Sequence, residues 1–108
     1  MANLPDMFEF QVELSQHKFT VVKFGMVTCG PCKKLKPVME DLQKLVSSDI
    51  HFMDVDIIMQ EDIALAEGVN RVPRIHFFVG NDRKPELDVE GYNVEKILAS
   101  LSRLVSEN

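Results

Sequence analysis

Two cysteines and no tryptophan occur in the 108 residues of this chain. So few cysteines exclude a disulfide-dense secreted scaffold. Basic charge is also in short supply: 12 lysines and arginines face 17 carboxylates, a formal net charge of −5. That balance favours solubility and argues against an overall nucleic-acid binder, a class that is usually basic. No stretch approaches the roughly 20 apolar residues of a membrane span. The opening "MANLPDMFEF" has neither a basic segment nor an apolar one, so no secretory leader is read there and a cytoplasmic location is expected. Internal repeats, low-complexity tracts and linkers are missing as well. What remains is one domain over residues 1–108, expected to be a monomer with no nucleic-acid or membrane partner.

Hydrophobic residues make up 45% of the chain, enough for an ordinary core. Their spacing predicts the elements. Pro5 to Gln16 reads as a helix with Met7, Phe10, Val12 and Leu14 inside. "FTVVKFG", Phe19 to Gly25, is apolar on both faces except at Lys23, the pattern of an interior strand. Leu35, Val38, Met39, Leu42, Leu45 and Val46 mark a long helix that Pro37 bends without ending. "IHFMDVDI", Ile50 to Ile57, is a second strand, and Gln60 to Glu67 a short helix stopped by Gly68. Arg74 to Val79 is a third strand, "GNDRKP" a turn, and "ELDVEG" a fourth strand antiparallel to the third. A last helix starts at Asn93 with Val94, Ile97, Leu98, Leu101, Leu104 and Val105 as its stripe. Alternating strands and helices predict an α/β fold, its sheet largely parallel with an antiparallel edge and helices on both faces.

Both cysteines lie in "VTCGPCKKLKP". The pair can be a redox couple, half of a metal site or a structural disulfide. Cys29 follows a strand and opens a helix, where unpaired N–H groups and the helix dipole favour an anion. A thiolate is the reactive form of cysteine, and such a position lowers its pKa. Cys32 sits about one turn on, near enough to close a short disulfide. Pro31 suits the first helical position and Gly30 a tight turn. The pattern is an exposed attacking thiol, a recessed resolving thiol and a rigid loop between them. A tetrahedral zinc site would need two more ligands. The strands of His51 and His76 begin at opposite ends of the pattern, and His17 lies on another element, so no metal is expected. Asp54 and Asp56 share a strand face and read as solvated strand-end residues; Met39 and Met53 read as core, and Met26 as core filling ahead of a place in the substrate groove.

"FGMVTCGPCKKLKP" together with "RVP" resembles the thioredoxin family. The Cys-Gly-Pro-Cys motif followed by Lys33 and Pro37 looks like that family's active-site segment. Val72-Pro73 matches its cis-proline, and Gly91 a glycine after its last strand. The resemblance implies a thioredoxin fold, a central mixed sheet of four or five strands flanked by four helices. Only Met1 to Leu4 precede the first helix, so the family's opening strand is expected to be very short or absent. The resemblance also implies a thiol–disulfide oxidoreductase that reduces protein disulfides. Cys29 would form the mixed disulfide and Cys32 would release the reduced substrate. The backbone of Val72 beside Pro73, with Arg74 and Gly91 nearby, would hold the substrate strand. No bound cofactor is implied beyond the Cys29–Cys32 disulfide itself, and the family's electron donor is an NADPH-dependent flavoprotein reductase.

Four residues depart from the family pattern, one of them Gly25, at a position often filled by something larger. Thr28 stands where thioredoxins carry tryptophan, so the apolar ledge beside the reactive sulfur is smaller. Arg74 replaces a common threonine. Lys23 replaces a buried aspartate that helps move the proton of the resolving cysteine. A charged lysine cannot accept that proton. Its ammonium can reach the surface, pair with Asp54 or Asp56, or act as a neutral base. Arg74 with Lys33, Lys34, Lys36 and Lys23 predicts an electropositive site that favours the Cys29 thiolate; the plainer reading is that the helix lysines are solvated and point away. These departures also keep open an interaction module of the same fold with weak or atypical redox activity.

Overall fold

Phe19–Gly25 form strand β1, and all seven residues are buried. The structure, a computed structural model, describes residues 5–108. Around β1 the chain runs α1 (Met7–Ser15), β1, α2 (Gly30–Leu45), β2 (Ile50–Asp56), α3 (Glu61–Ala66), β3 (Arg74–Val79), β4 (Asp82–Arg83), a 3₁₀ turn (Pro85–Leu87), β5 (Val89–Glu90) and α4 (Val94–Ser106). Phe19, Val21, Ile75 and Phe77 pack on Leu35, Met39, Leu42, Ile97, Leu101 and Leu104 of α2 and α4. The opposite face carries Val22, Phe24, Val55 and Phe78 against Phe10 and Leu14 of α1 and Ile63 of α3. Two apolar layers therefore enclose one sheet, each side supplied by alternate strand residues.

The sheet order is β2-β1-β3-β4, with β5 also on β3. β1 and β2 are parallel, whereas β3 is antiparallel to β1. The mixed five-stranded sheet is the one the family resemblance implies, whereas the largely parallel sheet expected from the strand–helix alternation is corrected. A parallel return needs a crossover along the strand, usually a helix. The six-residue α3 does not serve as one, and the chain enters β3 at the end where β2 leaves the sheet, so β3 runs back. Arg74 accordingly pairs with Phe24 at that end.

The element bounds expected from sequence hold closely for β1 and β3. The single fourth strand does not hold. The expected turn contains β4, and the expected strand "ELDVEG" opens as the 3₁₀ turn and keeps only β5. Both pieces pair with β3, so the edge is one strand interrupted where Pro85 lacks an N–H to donate. Val12 and Leu45, expected inside, are 38% and 81% exposed. Val12 falls off the Phe10–Leu14 line of a nine-residue helix, and Leu45 is the last residue of α2. Pro37 lies inside α2, which continues past it. Gly68, at φ +69°, follows the C-cap of α3 as expected. The expectation of a short or absent opening strand at Met1 to Leu4 falls outside the described residues.

Candidate active site

β1 and β2 deliver their chain ends to the same edge of the sheet, and there the cysteines sit. Cys29 is the N-cap of α2, in extended conformation, and its sulfur accepts the N–H of Cys32 at 3.1 Å. Gly30 is the first helical residue and Pro31 the second, one place later than expected for the proline. Cys29 and Cys32 form a disulfide with their Cα atoms 5.2 Å apart. Cys29 is 8% exposed and Cys32 4%. The expected order of accessibility is present, but in the oxidised form Cys29 is far less open than "exposed" implied. Once reduced, a thiolate on Cys29 stands where the helix N-terminus presents its free N–H groups.

A cleft of about 440 Å³ opens behind Cys32, lined by Gly25, Met26, Val27, Lys33, Lys36, Lys23, Asp54, Val55, Asp56 and Gln60. Met26, expected in the core, instead lines this cleft, since it follows the last residue of β1 and leaves the sheet. Lys23 takes the second of its three readings: its ammonium lies 3.4 Å from Asp54, its neighbour in the β1–β2 register. Asp56 is occupied differently, accepting the N–H groups of Ile58 and Met59. Lys33 and Lys36 are exposed but border the cleft, while Lys34 lies over the Tyr92 ring at 5.2 Å. The helix lysines therefore divide between the two readings rather than following one.

Just before β3, whose first residue pairs with Phe24 near the end of β1, the Val72–Pro73 peptide is cis. Gly91, at φ +74°, donates its N–H to the Pro73 carbonyl at 2.9 Å, which ties the edge strand to the proline. A positive φ there favours glycine over any side chain. Thr28 is exposed beside Cys29, with no large ring at that place. Arg74 does not add free charge to the site. Its guanidinium pairs with Asp88 at 3.0 Å and Glu90 at 3.5 Å. Residue 74 shares its strand face with His76 and Phe78, away from α2, so those carboxylates are its natural partners.

Sequence reasoning missed the network behind Arg74. His76 is fully buried, bonded to Glu67 at 2.9 Å and to Arg83 at 3.1 Å, and Arg83 in turn reaches Asp88. A histidine inside the apolar "RIHFFV" was the available signal; its partners come from the end of α3 and from β4. His51 bonds Glu13 at 2.7 Å and stacks on His17 at 3.8 Å, so it too is turned from the cysteines.

The thioredoxin family model matches residues 4–103. The chain belongs to the thioredoxin family. Thioredoxin of Homo sapiens is 33% identical over 98 residues, covering 91% of this chain and 90% of the relative. The NADPH-dependent thioredoxin reductase 3 of Arabidopsis thaliana is 30% identical over 84 residues, 65% of this chain but 16% of that protein. The oxidized form of mitochondrial thioredoxin 3 from Saccharomyces cerevisiae superposes with a TM-score of 0.86 at 24% identity, covering 94% of this chain and 92% of that one. With its paired cysteines, this thioredoxin-family chain is a thiol–disulfide oxidoreductase acting on protein disulfides. Among the described residues no helix is long and apolar enough to cross a membrane.

Proposed function

We propose that Cys29 is the attacking sulfur, Cys32 the resolving sulfur, and an NADPH-dependent flavoprotein reductase the electron donor. The observation that carries this assignment is the Cys29 sulfur capping α2, where an anion is favoured. The Cys29 thiolate attacks a substrate disulfide, forms a mixed disulfide and expels one substrate thiolate. Cys32 then attacks the Cys29 sulfur and expels the second. The substrate gains two electrons and two protons, and the chain is left as the disulfide. The cis Val72–Pro73 segment, with Gly91 bracing it and Arg74 alongside, is the surface on which the substrate backbone would lie. Lys23 and Lys33 tune the thiols from the cleft side. No bound cofactor enters the scheme, and a monomer suffices because both cysteines and Pro73 come from one chain. Likeness to part of an NADPH-dependent thioredoxin reductase supports that class of donor. A reducing compartment, in our reading the cytoplasm, is where such a dithiol stays loaded.

Insulin reduction with dithiothreitol tests the scheme. The wild-type chain turns over and Cys29→Ser does not; NADPH consumption with a flavoprotein reductase added identifies the donor. Turnover retained by Cys29→Ser sinks the assignment. The alternative of a docking module gains nothing from a site that brings the two sulfurs together.

A further inference from the structure

We propose that Lys23 is a positioning residue for the second chemical step, holding the Cys32 sulfur as a thiolate while it attacks the mixed disulfide, and that Asp54 sets the strength of that hold. The proposal rests on the reductase reading above. Cys32 needs such help more than Cys29 does. The N-terminus of α2 serves the Cys29 sulfur, and the Cys32 N–H is itself given to that sulfur. Lys23 lies on the strand face that looks toward α2, with Val21 before it and Ile75 opposite it in β3, both fully buried. Its side chain is 10% exposed. A cation placed among apolar neighbours exerts its field with little screening.

The gap between lysine and sulfur is kept open by Gly25. A Cβ built there would lie 3.4 Å from the Cys32 sulfur and 3.9 Å from Cε of Lys23, so the two side chains border one space. The charged groups around Lys23 are Lys33, Lys36 and Glu40 from α2 and Asp54 and Asp56 from β2, and its register partner in β3 is the apolar Ile75. Asp56 is turned into its own loop. Asp54 is 70% exposed, so its counter-charge is solvated and cancels the ammonium only in part.

Cys32 gives its proton to solvent through the open cleft. The thiolate attacks the Cys29 sulfur, the bond between Cys29 and the substrate breaks, and the substrate sulfur leaves with the electron pair and takes a proton from solvent. The chain loses two electrons over the cycle and the substrate disulfide gains them.

Two substitutions test it with opposite expected signs. In a Cys29→Ser background, the pH of half-maximal Cys32 alkylation by iodoacetamide rises by about one unit with Lys23→Met and falls with Asp54→Asn. Stopped-flow mixing of the reduced chain with dithiobis(nitrobenzoate) then reads the step itself, as the second burst of released thionitrobenzoate. A one-unit rise cuts the thiolate about tenfold but makes it about threefold more nucleophilic. Lys23→Met therefore slows the second burst about threefold at neutral pH and speeds it at a pH above both midpoints. A merely structural lysine gives no such crossover. Alkylation midpoints that stay put, or that move together in both variants, overturn the proposal. Asp54→Asn alone suffices if Lys23→Met fails to fold, because Asp54 is at the surface. Absence of a second burst in the wild-type chain would instead overturn the reductase reading.

Discussion

Thr20 is the second residue of β1, fully buried, and its hydroxyl has no hydrogen-bond partner among the described residues. Nothing in the structure explains the hydroxyl. A buried polar group without a partner costs stability, and valine has nearly the same shape and the same strand preference. Thr20→Val is expected to raise stability by about 1 kcal/mol, read as a higher urea midpoint with an unchanged slope. At the other end of the chain, Arg103 donates to Glu107 at 2.8 Å. That hydrogen bond, followed by the charge attraction, holds Glu107 below the usual carboxylate range. A lowered folded-state pKa contributes stability above the unfolded value and loses it as pH falls through the folded one. The pair is fully exposed, so its weight is small. Arg103→Ala is expected to return the Glu107 titration toward the ordinary range, followed by NMR of its side-chain carboxyl.

Elements differ in how far their residues announce them. Asn93 at the start of α4 was legible because an amide before an apolar stripe is an N-cap signal, and its side chain accepts the N–H of Lys96 at 3.0 Å. The cap holds a helix whose Ile97, Leu101 and Leu104 close the first core layer. Asn93→Ala is expected to cost about 1 kcal/mol, measured by urea unfolding, with the disulfide chemistry unchanged. The edge strand was not legible in the same way. Two residues in β4 and two in β5 show no alternation to read, and their pairing depends on β3 supplying its free edge. The buried Glu67–His76–Arg83–Asp88 network was invisible for a related reason. Each member looks like an ordinary loop or strand residue until the sheet brings them together.

At the scale of the whole molecule, the disulfide closes a loop of sequence separation 3 at the rim of the sheet. The loop-entropy relation assigns so short a loop only about 2 kcal/mol. That is still a noticeable share of the about 5–15 kcal/mol that holds a domain together. Reduction with dithiothreitol is therefore expected to lower the urea midpoint without unfolding the chain, because neither apolar layer depends on the sulfurs. A chain that unfolds on reduction would show that the pair is structural instead. Strand periodicity by itself determined the α/β class and the bounds of β1 and β3, since each is set by neighbours within a strand, and the redox role of the cysteine pair was legible only through the family resemblance that the Cys-Gly-Pro-Cys segment carries. Only the tertiary structure decided the reversed β3, the split edge, the pairing of Arg74 with Asp88 and Glu90, and the choice of Asp54 as the partner of Lys23. Those outcomes turn on which distant strand end or charge arrives within a few ångströms, and local sequence carries no measure of that distance.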